Sequence, residues 1–161
     1  MHWIQALIGP SSTLTDVCNR LPSAVVCALP QGLALIAITA PVEVELRESE
    51  FGPAPPVLPH SGEIGPGLAG LASQLSREGP IVYVATYIHG GTGGQDALVW
   101  VDGEVVLNIG DDEDNKSPWP DSPISRALRH IGVAATDGED EFDALGLGRY
   151  RSNESWAEAH S

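Results

Sequence analysis

The sequence predicts an α+β fold: mainly an antiparallel sheet with a central three-strand meander, and about three helices packed on one face. Three observations carry this. Gly79 to Gly110 holds β-branched and aromatic runs at Ile81 to Ile88, Ala97 to Val101 and Glu104 to Ile109, parted by a glycine-rich link and by Asp102-Gly103. Asp-Gly marks a hairpin because a type I′ turn needs positive φ at both central residues, which this pair accepts at low cost. Helical stripes at Leu68, Leu71, Ala72, Leu75 and at Ile124, Ala127, Leu128, Ile131 lie outside the meander and supply helices to pack on an antiparallel sheet.

In order, Trp3 to Ile8 reads as a strand stopped by Gly9-Pro10, followed by a short helix with Ser12 as its hydroxyl cap and Leu14, Val17, Cys18 and Leu21 at helical spacing. Ala24 to Leu29 and Leu33 to Ile38 flank Pro30-Gln31-Gly32, a hairpin link in which Gly32 is free to take positive φ. Alanine is frequent in both runs, so helix stays open for either. From Pro41 to Phe51, Val42, Val44 and Leu46 alternate with Glu43, Glu45 and Arg47, the period of an exposed strand with one wet face. Residues 52–67 carry five prolines and several glycines, a loop composition. The helix at 68–75 ends toward Arg77, with Gly79 as a cap candidate. The last predicted helix has the clearest punctuation, with Ser122 as N-cap, Pro123 in the first turn and Gly132 after the stripe; Arg126, Arg129 and His130 near its end suit the helix dipole. One globular domain over 1–161 is expected, with a polar tail at 152–161.

The 161 residues carry 22 acids against 8 Lys and Arg, a formal charge of −14. Residues 1–80 hold 7 acids and 3 bases, and residues 81–161 hold 15 and 5, so the excess lies in the second half. Such a field repels phosphate backbones and anionic lipid, which argues against nucleic-acid and membrane partners and favours a basic protein. No apolar run reaches the length of a membrane span and the N-terminus lacks a basic leader region, so a cytoplasmic protein is expected. In that compartment Cys18 and Cys27 are expected to be reduced and largely buried.

No catalytic or metal signature is present. The link His89-Gly90-Gly91-Thr92-Gly93-Gly94-Gln95 lacks the Lys-Ser/Thr of a phosphate loop and leads into a strand, where no helix N-terminus is available for an anion. Asp111, Glu113 and Asn115 alternate like calcium ligands, yet Lys116 and Ser122 occupy the places of the required glycine and glutamate; the Asp137 run fails similarly, with Phe142 at the sixth place. The five histidines show no i, i+4 pairing. No metal or other cofactor is expected. What remains is a pair of acidic segments bracketing the 122–132 helix: Asp111, Asp112, Glu113 and Asp114 with Trp119, and Asp137, Glu139, Asp140, Glu141 and Asp143 around Phe142. Aromatic anchors within one sign of charge suit a protein interface, the rings supplying buried area and the carboxylates selecting a basic target. The competing reading is a solubilising surface. A second candidate is a small-ligand or enzymatic site at His89, Gly91, Gly93 and Asp96.

The segments HWIQALIG, LPQGLAL and EFDALGLGRYR together resemble a group of small acidic bacterial proteins of unassigned activity, a likeness covering most of the chain. In general character the chain is similar to immunity proteins that neutralise polymorphic or interbacterial toxins, a class without a common motif. The resemblance implies a non-catalytic inhibitor that lays an acidic C-terminal face over a basic toxin or effector enzyme. Charge reversal at Asp111, Asp112 and Asp114 is then expected to slow association without unfolding the domain.

Overall fold

The computed structural model describes residues 1–49, 51, 57–59, 64–90 and 92–161. The strands are β1 (His2–Pro10), β2 (Val26–Ala28), β3 (Leu33–Ala37), β4 (Ile81–His89), β5 (Thr92–Val101) and β6 (Glu104–Gly110). They form one six-stranded sheet in the order β2-β3-β1-β4-β5-β6, every pairing antiparallel. The meander is therefore half of a larger sheet. Its Asp102-Gly103 turn has φ of 52° and 87°, both positive as a type I′ turn requires. The Pro30-Gln31-Gly32 link likewise turns β2 into β3, with Gln31 at φ 64° and Gly32 at φ 74°.

Among the described residues the helices are α1 (Ser11–Leu14), α2 (Ala40–Glu48), α3 (Pro66–Leu75), α4 (Pro123–His130), α5 (Glu141–Ala144) and α6 (Asn153–His160). They cover both faces of the sheet, which corrects the one-face expectation. The reason is in the strands. In β4, Ile81, Tyr83 and Ala85 join the core beneath α1, α2 and α3, while Val82 and Val84 join the core beneath α4, α5 and α6. A strand apolar at both alternating sets leaves two faces to be covered, so a single helical layer is insufficient. Trp100 and Leu98 anchor the first core, and Ile4, Val99 and Trp156 the second.

Further elements depart from expectation. Residues 40–48 are helical, not an exposed strand. Val42 and Leu46 are buried one turn apart and Val44 is exposed, with Pro41 in the first turn where a missing N–H costs nothing. The i, i+4 pair fits both periods, and the proline decides. The first helix begins at Ser11 and has no side-chain cap. The polar segment 152–161 is not a tail, because Ser152 caps α6 through Ser155 N and Trp156 is buried against Tyr150 at 4.7 Å between ring centroids. The glycine link is mostly strand: β5 starts at Thr92, and the turn holds Gly90 at φ 58°. By contrast α4 stands as read, Ser122 Oγ accepting from Ser125 N at 3.4 Å and Gly132 taking φ 96°, while α3 begins two residues earlier than expected, at Pro66, and has Ser76 as its C-cap in place of Gly79. Of the cysteines, both free, Cys27 is buried and Cys18 exposed, so burial of both is corrected. Most of the 52–67 loop lies outside the described residues. No helix among the described residues is long and apolar enough to cross a membrane.

Candidate interaction site

The acidic loop that follows β6 is fastened at several points. Asp111, 2% exposed, turns its carboxylate inward, accepting from Gln95 N at 2.9 Å and Ser117 N at 3.1 Å. Its own N–H donates to Gln95 O at 3.0 Å, and its carbonyl accepts from Tyr87 Oη at 3.0 Å. This approach is close because residue 94 is glycine, where a Cβ would fall onto the Asp111 carbonyl oxygen. Asp112 Oδ1 accepts from Asp114 N and Asn115 N, both at 2.9 Å, which folds the loop back on itself. Lys116 Nζ donates to Gly93 O at 2.8 Å, tying the loop to the β4-β5 hairpin.

The far end of the loop is held by Arg129 of α4. Its guanidinium donates to Glu141 through Nε at 3.1 Å and Nη2 at 2.9 Å, to Asp121 through Nη1 at 3.0 Å, and to the Pro120 carbonyl at 3.3 Å. This forked geometry holds the Glu141 carboxyl below its ordinary range, the hydrogen bonds from Arg129 outweighing burial, and raises Arg129 in turn. The end of the 111–121 loop and the second acidic segment thus meet on one guanidinium, through Asp121 and Glu141. Between the fixed ends stand Glu113 and Asp114, both exposed, and Trp119, 61% exposed. Presenting an indole on a loop pinned at both ends lowers the ordering entropy of any contact it makes.

The second segment is occupied mainly with local structure. Asp140 caps α5 by accepting from Asp143 N at 2.8 Å, and Glu139 accepts from Thr136 N and Oγ1. Asp143 is raised above the usual carboxylate range by burial and by Asp140. Phe142 is half-buried, its N–H donating to Ser125 Oγ and its ring 5.9 Å from His2. Asp137 is exposed. The acids foreseen as one charged face therefore divide. Asp111, Asp140 and Glu141 are buried supports, and the expectation that Asp111 tolerates reversal is corrected, since its charge is inside the fold. Glu113, Asp114 and Trp119 face outward.

The alternative His89 site is not assembled. His89 is exposed at the hairpin end and pairs with Thr92, whereas Asp96 is buried opposite Ala85. Ala85 lies four residues from His89 along β4, roughly 13 Å at strand rise. Gly93, at φ 115°, is pressed on the Tyr87 carbonyl. Gly91 lies outside the described residues.

Arg129 and Lys116 are the site residues that sequence reading passed over. A local excess of carboxylates flanking a helix with a basic end was the available signal for Arg129. Nothing in the sequence indicated that Lys116 reaches Gly93. No protein-family model, curated protein or solved structure matches the chain.

Proposed function

We propose that the chain is an inhibitor-type binding protein whose loop 111–121 engages a basic protein partner, in the manner of an immunity protein that neutralises a toxin or effector enzyme. The observation that supports this reading is the exposure of Trp119 and its neighbours Glu113 and Asp114 on a loop fixed by Asp111 at one end and Arg129 at the other. An aromatic anchor among carboxylates supplies buried area at its centre and attraction for a cationic surface around it. The net charge of −14 extends that attraction and makes encounter sensitive to salt.

The test is recovery of the partner from a lysate of the native host at low and at moderate salt, with identification by mass spectrometry and assay of the partner's activity. One basic protein, retained at low salt and inhibited on binding, is the expected result. Recovery of the chain alone under both conditions removes the reading.

A further inference from the structure

We propose that the cavity between α2, α3 and the sheet is a small-molecule site for an uncharged ligand with an apolar body and one polar, hydrogen-bonding head. The cavity has a volume of about 610 Å³, within the range of ligand pockets and beyond the small voids that close packing leaves. It lies beside the point where the end of α2 meets the start of α3. A Cβ at Gly67 would meet the Leu46 backbone, so glycine brings the start of α3 against α2, and the space opens toward Phe51 and Ile64.

The walls set the ligand's chemistry. Leu46, Phe51, Ile64 and Leu68 give an apolar enclosure. The sheet contributes Gln5 and Tyr83, with Gln5 Nε2 donating to Tyr83 Oη at 3.3 Å. Tyr83 accepts that bond, and its own proton has no acceptor among the described residues. Burial and Asp96 push the phenol up to about 12, so it remains a donor throughout the neutral range. A ligand oxygen near Tyr83 Oη would accept its proton.

The charged groups among the described lining residues are Glu43 and Arg47, one turn apart on α2. Their formal charges cancel, and i, i+4 spacing lets them face each other. A charged head gains no net counter-charge here, and an anion also meets the field of −14. The head is therefore neutral, an alcohol, amide or ketone. This site is separate from the acidic loop and stands or falls independently of it.

The experiment uses three probes of one chain length, 1-octanol, octanoate and octylammonium, titrated into the full chain and followed by amide NMR shifts. Saturable 1-octanol binding with shifts centred on residues 5, 46, 64, 65, 67, 68 and 83 is expected, with both charged probes at least about tenfold weaker. Gly65→Phe is designed to fill the cavity: Gly65 lines it, has ordinary φ and ψ of −61° and 156°, and has no neighbour within 4 Å of a built Cβ. That variant should abolish the shifts, and Tyr83→Phe, which keeps the ring, should weaken binding about tenfold. Absence of saturation by 1-octanol, equal binding of all three probes, or undiminished binding by either variant overturns the proposal.

Discussion

Asp111→Ala separates a structural carboxylate from a recognition carboxylate within one loop. Asp111 is 2% exposed and accepts two backbone amides, from Gln95 at 2.9 Å and Ser117 at 3.1 Å. Hydrogen bonds to charged groups contribute about 1.5–3 kcal/mol each, and truncation leaves buried donors without an acceptor. Water reaching the Ser117 side offsets part of this, so a loss of about 3 kcal/mol is expected. For a chain of this size that corresponds to a fall in Tm of roughly 6–12 °C. Asp114→Ala, at an exposed position, should stay within about 0.5 kcal/mol of the parent. Thermal and urea unfolding of the two variants side by side decide the matter. An Asp111→Ala variant melting within about 2 °C of the parent refutes the assignment of Asp111 as the inner fastening of the loop.

Three further outcomes follow from the same geometry. Arg129→Met leaves the Glu141 carboxylate, 8% exposed in its side chain, without its partner and should cost about 1–3 kcal/mol given the half-exposed guanidinium; adding Glu141→Gln should recover more than half, as read in a double-mutant cycle. Gly94→Ala places a methyl on the Asp111 carbonyl and should destabilise by about 2–3 kcal/mol in urea unfolding, whereas Gly132→Ala, at φ 96° with open space around it, should cost about 1 kcal/mol. His2 is lowered from its ordinary 6.5, chiefly by burial and also by Arg151. The folded state therefore prefers the neutral ring, so stability is complete above pH 6.5 and declines as pH falls below it. His2→Gln should flatten that slope below pH 6.5, measured by urea midpoints; an unchanged slope assigns the dependence to another group.

Much of the fold was legible because its signals are local. Asp102-Gly103 and Pro30-Gln31-Gly32 dictate φ by residue type, and Ser122-Pro123 with Gly132 brackets α4 by capping chemistry. The misread segment, residues 40–48, has apolar residues at positions shared by the period of a strand and of a helix, and the signal that separates them is Pro41 in the first turn, with Val42 and Leu46 buried and Val44 exposed in the fold. The two-faced helical cover follows from strands apolar on both sides, a feature visible in Ile81 to Ala85 yet easily taken for a single buried face. For the site, composition located the acidic loop and Trp119. It was blind to direction: Asp111 and Glu113 are alike in sequence, and their roles diverge because one faces the amides of Gln95 and Ser117 while the other faces solvent. The cavity beside Tyr83 depends on Gln5, α2 and α3, which are distant in the chain, so no local pattern announces it.

The pinned loop is proposed to recognise a basic partner through Trp119, Glu113 and Asp114. That recognition is tested most directly by the association and dissociation rates of the partner captured from the host, measured with the parent chain and with the triple variant Glu113→Lys, Asp114→Lys, Trp119→Ala. Recognition by the loop requires that the parent's association rate fall at least about tenfold between low and moderate salt, and that the variant lose most of that dependence. Dissociation of the variant is expected to be at least about a hundredfold faster, as befits loss of an aromatic anchor. A variant with the parent's rates and salt dependence contradicts recognition by the loop, and places it elsewhere on the surface.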